Sequence, residues 1–174
     1  MQAPATVVLA LALVATSGCN TPAPESQPEN AAPELLLDSV DGSGRISLAE
    51  QQGKVVLVDL WATWCVPCIA ELPHLQAMSD ELAPDDFLML GIVLESGDRE
   101  EVVDFLAEKK VTYTQVMGEE DTGEAFGPFL GYPTKYLINR DGVVVKRYFG
   151  IIGEELQDDV EMLIKTGLLE ESDE

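Results

Sequence analysis

Basic side chains are scarce in this chain of 174 residues. It contains 10 lysine and arginine residues against 32 aspartate and glutamate residues, and its formal net charge at pH 7 is −22. A protein with so few basic side chains cannot assemble the positive patch that binds nucleic acid or another polyanion. We therefore expect no nucleic-acid partner.

Cysteine and histidine are scarcer still, with 3 cysteines and 1 histidine in the whole chain. A structural zinc site needs four nitrogen or sulfur ligands, and only Cys19 and His74 could join the pair Cys65 and Cys68. We therefore predict no bound metal and no cofactor. Apolar residues make up 46% of the chain, so a single domain can build its core without disulfides.

The two neighbouring cysteines lie in residues 61–68, which read WATWCVPC. An apolar, strand-like run ends at Trp61 and a helical apolar pattern begins just after Pro67, so the thiols should lie where a helix starts. Unpaired backbone N–H groups favour negative charge there, so Cys65 should ionise more easily than a free cysteine and act as the attacking thiolate. Cys68, one turn further in, would be the resolving thiol. The spacing favours such a redox pair over an inert structural disulfide.

A wider set of motifs accompanies the pair. Residues 58–68 read VDLWATWCVPC, a proline follows at position 73, and residues 131–134 read GYPT. In this order they resemble the thioredoxin superfamily, and within it the membrane-tethered ResA/TlpA-like thiol–disulfide oxidoreductases. The resemblance covers residues 34–167. It implies an α/β thioredoxin-like fold with a central mixed sheet, helices on both faces and an inserted helix and strand within residues 99–117.

Apolar periodicity predicts the individual elements. A hairpin is expected from residues 35–40 and 45–48. Further strands are predicted at residues 55–61, 87–94, 114–117, 134–138 and 143–149, and helices at 66–82, 99–109 and 154–165. We expect the helices to bury Ile69, Leu72, Leu75, Met78, Leu82, Val102, Val103, Leu106, Leu156, Val160, Leu163 and Ile164.

The first 33 residues do not fit a folded domain. Residues 5–18 are uncharged and mostly apolar, so residues 1–18 are predicted to be an export signal. The small residues before Cys19 resemble the lipobox of bacterial lipoproteins, which implies lipidation of Cys19. Residues 19–33 are rich in proline and polar residues and are predicted to be a disordered tether. Residues 168–174 are predicted to be an acidic tail.

Two acidic residues are candidates for moving protons. Asp59 interrupts a run that should be buried, where a carboxyl has a raised pKa and could take the proton of Cys68. Glu95 follows the end of a strand, and the resemblance implies an active-site acid there, shared with Asp59. For Glu71, stabilisation of the helix start is the favoured explanation.

The expected substrate groove surrounds the cysteine pair. The resemblance implies a cis peptide bond before Pro133, facing the disulfide, and a backbone at Tyr132 that holds the substrate chain. Trp64, Val66 and Pro67 are expected to complete the groove.

The function implied is that of an extracytoplasmic reductant of protein disulfides, anchored to the bilayer through Cys19 and acting as a monomer. The haem-binding cysteines of apocytochrome c are a candidate substrate, and a membrane thiol donor would recharge the protein. Three alternatives remain: an oxidase or isomerase of protein disulfides, a thiol peroxidase, and a copper-binding module.

Overall fold

Seven strands form one mixed sheet in the computed structural model of the chain, which describes residues 28, 30–82, 85–119 and 121–169. In chain order the strands are β1 (Leu36–Ser39), β2 (Arg45–Ser47), β3 (Val55–Trp61), β4 (Phe87–Val93), β5 (Thr114–Met117), β6 (Thr134–Ile138) and β7 (Val144–Phe149). Their order across the sheet is β2-β1-β5-β4-β3-β6-β7. The central strands β5, β4 and β3 are parallel, and the remaining pairs are antiparallel.

Three α-helices connect or follow these strands: α1 (Val66–Glu81), α2 (Arg99–Lys109) and α3 (Glu154–Thr166). Local signals explain their ends. Asp98 and Glu101 form a capping box at the start of α2, which satisfies two free donors. At the C-terminal end of α3, Gly167 adopts a left-handed conformation that glycine takes without steric cost. Pro73 lies inside α1, as predicted.

The two faces of the sheet are covered differently. On β3, Leu57 and Trp61 point into a cluster that also contains the buried residues of all three α-helices. The alternate residues, such as Val58 and Leu60, point into a second cluster beneath two 3₁₀ helices (Ala49–Gln51 and Glu124–Phe126) and residues near the start of the domain. The predicted mixed sheet is confirmed; the three α-helices lie on the side of the cysteine pair, and the helical segments described on the other face are the two 3₁₀ helices.

The predicted strands and helices all form, with ends within one residue or so of the expected positions. Several predicted core positions on the helices are wrong. Ile69, Leu82 and Ile164 are only partly buried, and Val103 is 40% exposed. Each helix buries a narrow stripe, and these residues lie at its margin.

The folded domain begins before residue 34. Ala31 forms a bridge with Val143, the N–H of Ala32 donates to the carbonyl of Gly142, and the N–H of Val144 donates to the carbonyl of Asn30. Backbone pairing of this kind needs no apolar side chain, so the composition of residues 19–33 did not indicate it. Cys19, residues 1–18 and residues 170–174 lie outside the described residues.

Within residues 28–169, apart from the three short gaps, no helix combines the length and the apolar character needed to cross a bilayer.

Candidate active site

Cys65 and Cys68 are joined by a disulfide at the start of α1. Cys65 is the N-cap residue, and its sulfur accepts a hydrogen bond from the backbone N–H of Cys68 at 3.2 Å. This confirms that the thiols lie at a helix start. In this disulfide form both residues are buried, because Cys65 is only 5% exposed and Cys68 is 2% exposed.

Exposed apolar side chains adjoin the two cysteines in the chain. Trp64 is 59% exposed and Val66 is 75% exposed, and Pro67 between the cysteines is also exposed. Leu130 and Phe149, which lie near Pro133 in the chain or by strand pairing, and Ile151 are exposed as well. Side chains of this size are usually buried, so a cluster of them indicates a contact surface for another molecule.

The peptide bond between Tyr132 and Pro133 is cis, as the resemblance implied. The Tyr132 ring packs edge-on against Trp64, with 5.5 Å between ring centroids, and against Phe129, with 5.0 Å. The carbonyl of Pro133 accepts a hydrogen bond from the N–H of Gly150 at 2.9 Å. The structure thus brings Tyr132 together with Trp64, although 68 residues separate them in the chain.

The rings of Trp64, Tyr132 and Phe129 are here called the aromatic rim. Glu95 lies at this rim and not in the core. It is exposed, with a positive φ of 47°. Its carboxylate accepts from the Tyr132 hydroxyl at 2.9 Å, and its backbone carbonyl accepts from the Trp64 indole N–H at 2.7 Å. The expectation that Glu95 shares a site with Asp59 is therefore not supported. Its contacts orient the two aromatic side chains beside the disulfide.

A buried ionic cluster lies in the core on the disulfide side of the sheet. The ammonium of Lys135, which is 0% exposed, lies 2.5 Å from a Glu71 oxygen and 3.3 Å from an Asp59 oxygen. The other Glu71 oxygen accepts from the backbone N–H of Ile152 at 3.1 Å. Two carboxyl groups thus share one buried cation, and Glu71 follows Cys68 by one helical turn, on the same face of α1.

Strand register creates this cluster. Asp59 on β3 is paired directly with Lys135 on β6, so their side chains lie on the same face of the sheet. Sequence reasoning found Asp59, missed Lys135 and assigned Glu71 only to the helix start. One signal was present: a lysine within a strand whose neighbours are all apolar or small must either reach solvent or find a buried partner.

The environment of Asp59 favours its protonated form. Burial raises its pKa to about 6, the Glu71 carboxylate adds to the rise, and the Lys135 ammonium opposes it. A carboxyl with such a pKa changes its protonation near neutral pH, which suits a group that exchanges a proton with a thiol. The raised pKa predicted for Asp59 is thus found.

Across the described ranges, no group of three or more histidine, cysteine, aspartate or glutamate side chains is arranged to hold a metal ion.

Comparison with known proteins places these features in a family. The Redoxin family profile matches residues 22–162. The chain belongs to the Redoxin family of the thioredoxin superfamily. It is 30% identical over 141 residues to the thiol-disulfide oxidoreductase ResA of Bacillus thuringiensis (strain Al Hakam), covering 77% of this chain and 75% of that protein. It is 32% identical over 124 residues to the thiol:disulfide interchange protein DsbE of Pseudomonas fluorescens biotype C, covering 70% of this chain and 66% of that protein.

Solved structures of similar proteins agree with this placement. A thiol:disulfide interchange protein of the thioredoxin family from Chlorobium tepidum TLS has a TM-score of 0.69 and 26% identity, covering 78% of this chain and 96% of that one. The thioredoxin domain of a thiol-disulfide oxidoreductase from Bacteroides vulgatus has a TM-score of 0.68 and 25% identity, covering 77% of this chain and 95% of that one. The predicted resemblance, fold class and enzyme class, thiol–disulfide oxidoreductase, are confirmed.

Proposed function

We propose that this member of the Redoxin family reduces protein disulfides outside the cytoplasm, through the Cys65–Cys68 pair. The observation that carries the proposal is the pair of buried carboxyl groups on the inner side of the active-site helix. Asp59 and Glu71 share the single cation Lys135, so with both carboxyls ionised the cluster has a net negative charge.

The sign of that charge sets the direction of electron flow. A dithiol pair becomes strongly oxidising when the protein stabilises its reduced, thiolate form. Here the negative charge of Glu71, one turn from Cys68 on α1, disfavours a thiolate at Cys68. The helix start still favours a thiolate at Cys65. The nucleophile is therefore available while the oxidised form remains comparatively favoured, as a reductant requires.

The reaction follows from these positions. The Cys65 thiolate attacks one sulfur of the substrate disulfide, which breaks the substrate S–S bond, forms a mixed disulfide and releases one substrate thiolate. Cys68 then loses its proton, with the Asp59 carboxylate as the acceptor, and attacks the Cys65 sulfur. The second substrate thiol leaves, and the protein ends as the disulfide. Two electrons pass from the Cys65–Cys68 dithiol to the substrate.

The apolar rim supports an extended polypeptide as the substrate. Trp64 and Val66, which adjoin Cys65 in the chain, are exposed, and so are Leu130 and Phe149, which lie near the Tyr132 that packs against Trp64. The backbone next to the cis bond at Pro133 would hold the substrate chain. A cysteine flanked by apolar residues suits this surface, and the net charge of −22 disfavours acidic segments. The haem-binding cysteines of apocytochrome c are the candidate substrate we retain.

The location rests on the first part of the chain. The predicted signal in residues 1–18, the lipobox-like sequence before Cys19 and the proline-rich stretch after it support a lipid-anchored, extracytoplasmic protein. In that setting a membrane thiol donor would return the pair to the dithiol form, and one monomer suffices for the reaction.

The equilibrium redox potential of the Cys65–Cys68 pair in the full-length protein tests the direction. A reductant should lie near the value of thioredoxin, about −270 mV, whereas a value near about −120 mV would contradict the proposal. The substrate class is tested by the initial rate at which the protein reduces an oxidised Cys-x-x-Cys-His peptide. This rate is compared with that for the same peptide carrying glutamates beside its cysteines.

The anchor is tested separately. Wild-type protein grown with labelled fatty acid should carry the label and sediment with membranes, and the Cys19→Ala variant should lose both properties. Retention of the label by Cys19→Ala would contradict lipidation at this residue.

A further inference from the structure

The chain joins the folded domain at the end of the sheet opposite the disulfide. Val56, near the start of β3, pairs with Ile138, the last residue of β6. The turn that follows, residues 139–142, therefore lies at the amino end of β3. Ala31 forms its bridge with Val143, directly after this turn. The first described residues thus enter at this end of the sheet, which we call the tether end.

Further contacts fix the entry point. The N–H of Ala31 donates to the carbonyl of Pro28 at 2.9 Å, which closes a turn. Pro28 and Ala31 line the same cleft as Gln52, just before β3. The N–H of Gly53 donates to the carbonyl of Arg140 at 2.8 Å, so the residues before β3 and the turn between β6 and β7 lie together. Pro28 is therefore held at the tether end.

The disulfide lies at the other end of the sheet. β3 ends at Trp61, and the N–H of Cys65 donates to the carbonyl of Ala62 at 3.1 Å in the turn that leads into α1. A strand rises about 3.3 Å per residue, so Val56 and Trp61 are separated by about 17 Å along β3. The reacting sulfurs lie beyond Trp61 in the same direction.

The stretch between the proposed anchor and the domain is short. From Cys19 to Pro28 the chain advances by nine residues, which span at most about 30 Å in any conformation. With the tether end toward the bilayer, every span within this limit is allowed. With the disulfide toward the bilayer, these residues would have to run back along the whole sheet. That path takes more than half of the limit and excludes most conformations of the stretch, which is unfavourable in entropy.

We propose that the anchored protein holds its tether end toward the bilayer and presents Cys65 and Cys68 away from it. This orientation rests on the anchor at Cys19 and on the disulfide exchange proposed above. It specifies the kind of electron donor: a dithiol on a part that projects from the membrane by about 17 Å or more. As the donor dithiol becomes a disulfide, the Cys65–Cys68 disulfide becomes two thiols, and two electrons and two protons pass.

A defined anchor tests the orientation without relying on lipidation in the cell. Cys19 is the only cysteine outside the disulfide, so the oxidised, full-length protein can be coupled through it to maleimide lipid in phosphatidylcholine vesicles. Both tryptophans of the chain, Trp61 and Trp64, lie at the disulfide end, and Gln52→Trp adds one at the tether end. Energy transfer from tryptophan to dansyl-labelled headgroups then reports the distance of each end from the bilayer.

The added tryptophan of Gln52→Trp should transfer energy several-fold more efficiently than the native ones, because it lies about 17 Å nearer the bilayer. The matched control is Val66→Trp, at an exposed position beside the disulfide, and its added tryptophan should transfer as little as the native ones. If the native tryptophans transfer as efficiently as the one added in Gln52→Trp, or more so, the apolar side chains of the disulfide end lie on the bilayer. That result overturns the proposed orientation.

The donor class is tested on the same vesicles. Dithiothreitol, a soluble dithiol, should reduce the coupled disulfide as fast as that of the uncoupled protein. A lipid with a dithiol in its headgroup should reduce it several-fold more slowly than a lipid with the same dithiol on a long polymer spacer, and equal rates for the two lipids would overturn the proposal. The redox potential and the peptide assay involve no bilayer, so they judge the proposed function separately.

Discussion

Replacing Lys135 by methionine removes the only cation that contacts Asp59 and Glu71 in the described structure. Lys135 is 0% exposed and lies within 3.3 Å of Asp59 and 2.5 Å of Glu71. Methionine has a similar length and no charge, so the space stays filled. The two carboxyl groups are then buried together without a counter-charge, and such groups take up protons in preference to remaining ionised.

The magnitude follows from the cost of that protonation. A carboxyl that must stay protonated in the folded protein costs about 1.4 kcal/mol for each pH unit above its value in the unfolded chain. For Glu71 at pH 7 this amounts to about 4 kcal/mol, taking about 4.3 for an unfolded glutamate. The pKa of Asp59 is already raised to about 6, so it adds only about 1 kcal/mol. We expect a loss of about 3 to 5 kcal/mol at pH 7, within the range for breaking a buried ion pair.

The pH dependence gives the prediction its specificity. The penalty arises because the unfolded chain releases protons that the folded variant keeps, so it grows as the pH rises and disappears as the pH falls. At pH 4.5 the difference between wild type and Lys135→Met should drop below about 1 kcal/mol. Urea unfolding followed by tryptophan fluorescence at pH 4.5 and pH 7 measures both values.

The matched control is Lys165→Met. Lys165 is an exposed lysine of α3, paired with Glu161, and its replacement should change the free energy of unfolding little at either pH. If Lys135→Met loses as much stability at pH 4.5 as at pH 7, the loss comes from packing. The view of the cluster as two carboxyls sharing one cation would then be refuted.

Three further predictions concern single residues. Because the pKa of Asp59 is raised to about 6 from 3.8, the free energy of unfolding of the wild type should fall by up to about 3 kcal/mol as the pH rises through this interval. In Asp59→Asn, the unfolding free energy measured in urea should depend less on pH, and an equally steep dependence would contradict the raised pKa of Asp59. Cys68→Ser should trap a mixed disulfide between Cys65 and an oxidised peptide, visible by mass spectrometry. Continued turnover without a trapped mixed disulfide would favour a peroxidase-like mechanism. Tyr132→Phe loses its hydrogen bond to Glu95 and should raise KM for the peptide about 3- to 10-fold with kcat nearly unchanged; an unchanged KM would remove the aromatic rim from substrate binding.

Local patterns were sufficient to predict the secondary structure. Residues 55–61 form a continuous apolar run, and β3 occupies the same residues because a strand covered on both faces buries every side chain. For α2, the apolar spacing predicted residues 99–109, and in the structure Asp98 caps the start of the helix. Exposure along the helices was harder to predict. Val103 looks like a core residue by spacing, yet it is 40% exposed because the core contacts of α2 centre on Val102 and Leu106.

The active site was predictable only where its parts are close in sequence or carried by a motif. The Cys65–Cys68 pair and the cis bond at Pro133 were found in this way. Glu71 and Lys135, which complete the cluster around Asp59, are 64 residues apart and belong to no local pattern. Glu95 follows a strand end as expected, but its backbone turn at φ 47° directs it to the aromatic rim.

The sequence by itself determined the element types, the placement of two thiols at a helix start and the presence of a carboxyl in a buried strand, since each depends on neighbours within a few residues. Only the tertiary structure decided which groups surround that carboxyl. Strand register brings Lys135 and Gly91 beside Asp59, and helix packing turns Glu71 inward. Those pairings depend on contacts between distant parts of the chain, and it is these contacts that set the charge and the proton affinity next to the sulfurs.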